Sequence, residues 1–426
     1  MFLDRFRRQA RTLLALSAAF AGLAAAPAHA VPSYARQTGM ECSGCHVGAF
    51  GPQLTPAGIR FKLGGYTDSD GKDGKIPLSG MLLADFSHTR QAQDPPPDGL
   101  EANDNTSFDQ ASLFIAGRAS DHVGGFMQLT YDGVARNFGL DNTDLRAATT
   151  TSLGGQDLLL GLSLNNNPTV QDPFNTLSAW GYPYVGPAAG FGTGDAASLI
   201  NGGLGGIVVG LSGYAVWNRD WYAELGSYRS MTPTLQSRLG LGRDDRKLEG
   251  NAYWRLAWMH DAKSSAAHLG LFGWSARLAP DRTVPGPVDG YRDIGIDGSY
   301  QFLGTREHVW SVFGSLTGEL QHTGADGTRH RLIEQRLNAS YHYRQTWGAS
   351  GGFFATRGSD PAAATRGLVL QADWTPWGKE EAEPPAGWQW LNLKFGAQYW
   401  HYGTFAGTHS GAADHDTFSV FAWSAF

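Results

Sequence analysis

Residues 331–344 read Arg-Leu-Ile-Glu-Gln-Arg-Leu-Asn-Ala-Ser-Tyr-His-Tyr-Arg and alternate polar with apolar side chains almost without a break. Glu334, Arg336, Asn338, Ser340, His342 and Arg344 fall on one face. Ile333, Leu337, Ala339, Tyr341 and Tyr343 fall on the other. Successive side chains of a strand point to opposite sides, so this stretch is a long β-strand with one polar and one apolar face.

The same pattern spreads outward from it. In Arg292–Phe302, Asp293, Asp297, Ser299 and Gln301 oppose Ile294, Ile296, Tyr300 and Phe302. In Leu391–Tyr402, Asn392, Lys394 and Gln398 oppose Leu393, Phe395, Ala397 and Tyr399. From Ile76 onward the unit recurs, each alternating run closed by a turn rich in Gly, Asp, Asn or Pro. Sixteen candidate strands start near 76, 108, 123, 138, 157, 204, 221, 251, 266, 291, 307, 330, 347, 365, 391 and 415.

A soluble β-sandwich would also alternate, with its polar face in water. Three features favour a membrane barrel. The strands are long enough for a tilted crossing. Tyr and Trp recur near strand ends (Trp221, Trp254, Trp310, Trp374, Tyr399, Trp400), as in an aromatic girdle. The chain ends on Phe426, with Phe418, Val420 and Ala422 on the same face, as the last strand of bacterial outer-membrane barrels does; Ser424 interrupts that face. The expected fold is all-β: an antiparallel outer-membrane barrel of about sixteen strands. Ala92–Thr106, Pro168–Gly203 and Thr232–Gly250 are its long external connections, and Asp121-His122, Gly154–Gln156 and Asn218–Asp220 its short periplasmic turns. Thr375–Trp390 dissents as a long periplasmic connection. Lysine at Ile296 or Phe395 is expected to disturb the lipid face, and Asp297→Asn to be nearly silent.

The first thirty residues form a leader. Arg5, Arg7, Arg8 and Arg11 precede an apolar stretch from Leu13 to Ala26, and Ala28-His29-Ala30 offers a small-x-small cleavage site. The mature chain then starts at Val31 and carries 29 basic against 38 acidic residues, once four arginines and one aspartate leave with the leader. That balance argues against a nucleic-acid partner, which needs a concentrated basic surface. No later apolar run is long enough for a membrane helix, so any crossing is by strands.

Cys42-Ser43-Gly44-Cys45-His46 is the C-x-x-C-H pattern of covalent haem attachment. Each thiol adds across one vinyl group, and the adjacent histidine becomes an axial ligand of the iron. A zinc site would need further cysteines, and a thioredoxin-like dithiol a βαβ context; the chain has two cysteines and no such context. Residues 31–75 are too few for a comfortable core of their own and need walls from the rest of the chain.

Pro32-Ser33-Tyr34-Ala35-Arg36-Gln37-Thr38-Gly39-Met40, the haem motif, Leu54-Thr55-Pro56 and Phe61-Lys62-Leu63-Gly64-Gly65-Tyr66 resemble the fused monohaem cytochrome–porin proteins of bacterial outer membranes. That group includes the iron-oxidising outer-membrane cytochromes. Asn165–Thr176 and Phe418–Phe426 share the likeness. The resemblance implies one covalent haem c held in a porin-like barrel, an extracellular donor such as Fe(II), and a periplasmic acceptor such as a soluble cytochrome c. An Fe(II):cytochrome oxidoreductase is the enzyme it would describe.

The expected organisation is a signal peptide over 1–30, a small helical monohaem cytochrome segment over 31–75 acting as lumen plug, and a porin-like barrel over 76–426 in outer-membrane lipid. Cys42 and Cys45 hold the haem, and His46 binds its iron. Met81 and His342, both expected on the lumen face, are alternative distal ligands; Met/His ligation would raise the potential. Arg118, Arg255, Arg336 and Arg344 are expected lumen cations, able to meet haem propionates or to line a channel. Three functions stay open: electron transfer across the outer membrane, a diffusion porin with a structural haem, and a soluble periplasmic electron carrier.

Overall fold

The computed structural model describes residues 32–72, 74–379, 384–385, 388 and 391–426. The leader and the start at Val31 lie outside the described residues. Short helices α1 (Ser33–Thr38), α2 (Cys42–Cys45) and α3 (Pro56–Leu63) come first. Then follow β1 (Leu78–Thr89), β2 (Asn105–Arg118), β3 (Val123–Asp132), β4 (Asn137–Leu153), β5 (Gln156–Asn165), β6 (Val208–Trp217), β7 (Trp221–Ser230) and, after α4 (Pro233–Arg238), β8 (Lys247–Asp261). The second half holds β9 (Ser265–Ala279), β10 (Asp289–Phe302), β11 (His308–His322), β12 (Arg329–Tyr343), β13 (Trp347–Gly358), β14 (Thr365–Trp374), β15 (Asn392–Thr404) and β16 (Thr417–Ala425). Each strand pairs antiparallel with its sequence neighbours, and β16 returns to β1 with Val420 opposite Phe86. The result is a closed barrel of sixteen strands. Every strand begins within four residues of its expected start.

Polarity runs opposite to that of a soluble protein. Leu256, Ile294, Leu337 and Leu370 are each more than half exposed on the outer wall. Asp144, Arg146, Glu224, Arg255 and Asp297 face inward and are at most 2% exposed. An apolar surface this continuous needs lipid around it, which removes both the sandwich and the soluble carrier. Closure satisfies every ladder hydrogen bond without an edge, the condition for crossing a bilayer by strands. An even-numbered single-chain barrel with this outer belt belongs in the bacterial outer membrane.

Trp221, Trp310, Trp347 and Trp374 stand exposed on the outer wall at the short-turn, periplasmic end. Trp400 does not join them: it is 2% exposed inside the barrel, in phase with Gln398 and Tyr402. The long connections 90–104, 166–207 and 231–246 leave their strands at the opposite end, and 375–391 joins β14 to β15 at the periplasmic end. Ile296 and Phe395 are 40% and 39% exposed on the lipid face. Lysine at either should cost about 2–4 kcal/mol if it sits near the bilayer midplane. Urea-dependent unfolding in vesicles measures this, and two variants as stable as wild type would refute the face assignment.

Candidate functional site in the barrel lumen

The N-terminal segment is folded by local rules and then held by the barrel wall. Helix α3 starts cleanly because Thr55 accepts a hydrogen bond from the Gly58 amide and Pro56 opens the first turn. Its first turn lies directly on the C-x-x-C-H turn: a side chain on Gly58 would place Cβ 2.5 Å from the Cys45 carbonyl oxygen. The Thr55 hydroxyl donates to the Gly44 carbonyl at 2.6 Å, and the Thr55 amide to the Cys45 carbonyl at 2.9 Å. His46 pairs with Leu54 in an isolated antiparallel bridge, which folds residues 46–54 back on themselves.

Cys42 and Cys45 are unpaired thiols within the single turn α2, each half-buried. Burial pushes the Cys42 thiol up to about 11 and raises Cys45 as well. A redox-active dithiol needs the opposite shift, because the thiolate is the reactive form. Burial pulls His46 down to about 4, which leaves a neutral imidazole. Its Nδ1 is buried with no hydrogen-bond partner. Two unpaired sulfurs one turn apart, followed by a buried imidazole with an unpartnered nitrogen, are a donor set that fits covalent haem.

The walls around this segment come from the whole ring. Gly48 donates its amide to Gln345 Oε1 at 2.6 Å, and Gln53 Nε2 donates to Ser311 Oγ at 2.6 Å. Gln301 Nε2 donates to the Leu54 carbonyl, Tyr214 OH to the Leu63 carbonyl, and Tyr66 OH to Asp144 Oδ2. Phe50 meets Trp423 edge-to-face at 4.8 Å. These partners lie on β4, β6, β10, β11 and β16 and in the β12–β13 turn, so the segment lies inside the ring.

His342 and Met81 both face the lumen. His342 touches Gly48 so closely that a Cβ there would sit 2.5 Å from Nε2, and its Nδ1 is buried without a partner. Met81 packs with Phe50, Leu83 and Trp423. Among the described residues no group of three or more His, Cys, Asp or Glu side chains could hold a metal ion.

The connection 166–207 was expected as an external loop, but it turns inward and packs on the N-terminal segment. Lys62 Nζ donates to the Val170 and Asp172 carbonyls and to Asn175 Oδ1, at 2.7–2.8 Å. Burial, with Arg146 near, pulls this ammonium down to about 7, against the raising effect of Asp144 and Asp172. Asp172 accepts from the amides of Phe174, Thr176 and Leu177, so the turn is fixed from within. Further along, the Ser198, Leu199 and Ile200 amides donate to Glu334, Glu319 and Asp293 on the wall.

Of the four expected lumen cations, Arg255 is fully buried between Asp172 at 3.2 Å and Asp297 at 2.5 Å. Arg336 donates to Thr193 Oγ1 on the inward connection. Arg118 is exposed at a strand end beside Ser69 and Asp121. Arg344 does not line the lumen: it has φ 51° in the β12–β13 turn and pairs with Glu307 outside. The strand ends one residue earlier, so alternation no longer governs its direction.

Asp297 also accepts from Thr176 and faces His268 Nε2 at 3.2 Å. The expectation that Asp297→Asn is silent therefore fails, since a fully buried guanidinium would lose one of two carboxylates. The substitution should cost about 3 kcal/mol, read as a lower thermal midpoint; an unchanged midpoint would refute this role. Lys62, Arg146 and Asp172 were not anticipated as site residues. Arg146 alone carried a signal, as a charge on the polar face of an alternating strand.

No family model and no curated protein matches this chain. Among solved structures it is similar to the anion-selective porin of Comamonas acidovorans, at 14% identity and TM-score 0.46, over 82% of this chain and 98% of that one. It is also similar to the outer-membrane channel DcaP of Acinetobacter baumannii, at 10% identity and TM-score 0.47, over 83% and 97%. OmpF of Salmonella typhi, solved with daunomycin, stands at 10% identity and TM-score 0.45, over 83% and 98%. None of these likenesses bears on function.

Proposed function

We propose that this barrel carries electrons across the outer membrane through one haem, attached at Cys42 and Cys45 with His46 as axial ligand. The observation that carries the reading is the C-x-x-C-H turn sitting among lumen side chains, with both thiols free and a neutral His46 imidazole directly after them. When bound, a haem supplies a one-electron redox centre. The chain's own residues supply its housing. Gln53 and Tyr66 anchor the segment to the wall and Lys62 to the inward 166–207 connection, while Phe50, Leu83 and Trp423 form an apolar cluster beside it. Met81 and His342 are the alternative second ligands, and an altered haem spectrum in Met81→Ala or His342→Ala would identify which. An extracellular donor such as Fe(II) and a soluble periplasmic cytochrome c are the proposed partners.

A second reading, a diffusion channel with a structural haem, is favoured by the barrel architecture itself. Against it, the N-terminal segment and the 166–207 connection both fold into the lumen, with Val170, Gln171, Asp172 and Arg255 fully buried there. Redox titration of the purified protein with stopped-flow Fe(II) addition tests the first reading. Reduction with one-electron stoichiometry and low conductance in planar bilayers is expected. A wide-open conductance and a redox-silent chromophore would favour the second.

A further inference from the structure

The outer wall carries a charged row that electron transfer does not use. Arg292 on β10, Arg331 on β12, Arg357 on β13 and Arg366 on β14 are all exposed, alternating with inward neighbours such as Asp293, Thr356 and Thr365. The register sets them at neighbouring levels. Leu320 opposes both Arg292 and Arg331, Ile333 opposes Arg357, and Ala355 opposes Arg366. None of the four has a carboxylate partner among the described residues. Arg277 on β9, opposite Gly290, continues the row beside Glu249.

Their height explains why they are tolerated on a lipid-facing surface. Ten residues of β10 separate Arg292 from Phe302, and ten of β13 separate Arg357 from Trp347 at the periplasmic girdle. At about 3.4 Å per residue and a tilt near 40°, that is roughly 25 Å, the height of an outer-membrane apolar band. The guanidinium groups therefore stand where hydrocarbon gives way to headgroups on the external side. The row is densest on one arc, although Arg229 on β7, opposite Val209, is a further exposed cation at this end. At the external ends of β4, β5 and β6 the outer wall presents Phe138, Leu164 and Val209, which are 64%, 43% and 39% exposed.

We propose that the β10–β14 arc binds the phosphate groups of outer-leaflet lipid, specifically a phosphomonoester-bearing glycolipid of the lipid A type. Guanidinium groups pair bidentately with phosphate oxygens, and a phosphomonoester carries more charge than a diester. Arg331, Arg357 and Arg366 are diagonal neighbours on adjacent strands, about 7–8 Å apart and within reach of one headgroup, and Arg292 lies two strands from Arg331, across β11. The inference is independent of the haem.

The test uses the full-length barrel in detergent, titrated with lipid A, with its dephosphorylated form and with phosphatidylglycerol. Wild type should prefer lipid A. Each arginine replaced by glutamine should weaken lipid A binding about fivefold, and the quadruple variant several hundredfold. Heat-dependent gel mobility confirms that the variants are folded; should the quadruple variant fail to assemble, Arg331→Gln/Arg357→Gln carries the test. Unchanged affinity in the folded variant overturns the proposal, as does equal binding of the dephosphorylated glycolipid. Equal binding of phosphatidylglycerol overturns the assignment to phosphomonoesters.

Discussion

Alanine at both Cys42 and Cys45 is expected to remove all covalent haem from the denatured protein while the barrel still assembles. Wild type should keep a c-type pyridine haemochrome spectrum after denaturation; either single variant should show it reduced or lost. The reason is chemical rather than architectural. The two thiols are unpaired, one helical turn apart, and followed directly by His46. Neither cysteine supports a strand pairing, so their loss leaves the ladders of the barrel intact. Heat-dependent gel mobility checks that point for each variant. Wild-type haem that comes away in acid-acetone would overturn the attachment, and so would a wild type that never holds haem. His46→Ala should retain the thioethers but shift the absorption of the reduced protein, since the iron loses a ligand while the sulfurs do not.

The barrel was legible because period-two alternation survives in sequence wherever one face meets lipid and the other meets a polar lumen. β10 and β12 show this residue by residue: Asp293 and Glu334 lie inside, Ile294 and Leu337 outside. The motif at Cys42 was legible because its chemistry demands adjacent residues. What stayed hidden depends on partners far apart in the chain. Lys62 finds Asp172 and Asn175 more than a hundred residues away. The 166–207 connection has no alternation to declare a direction, so nothing local says that it turns inward. Trp400 was misread by residue type, although its phase with Gln398 already placed it inside. Arg344 was misread by phase, because the strand stops at Tyr343 and a left-handed turn redirects the side chain.

Deleting residues 31–73 should separate the two readings of the lumen most sharply. The strands begin at Leu78, so every ladder of the barrel survives the deletion. What disappears is the contact of Gln53 and Tyr66 with the wall and of Lys62 with the inward connection, together with the proposed haem. Water can then reach Asp144, Ser311 and the Tyr214 hydroxyl, all polar groups that hydrate readily. A sixteen-stranded barrel without filling leaves an aqueous channel, so conductance should rise on the order of tenfold over a nearly closed wild type. The inward connection 166–207 keeps part of the lumen filled, because Glu334, Glu319 and Asp293 still hold Ser198, Leu199 and Ile200. Electron delivery from an impermeant external donor should fall to background in the same cells. These two changes must appear together if one segment both blocks the lumen and houses the redox centre. A wild type that already conducts freely, with conductance unmoved by the deletion, would place the ion path elsewhere and return the protein to the diffusion-channel reading.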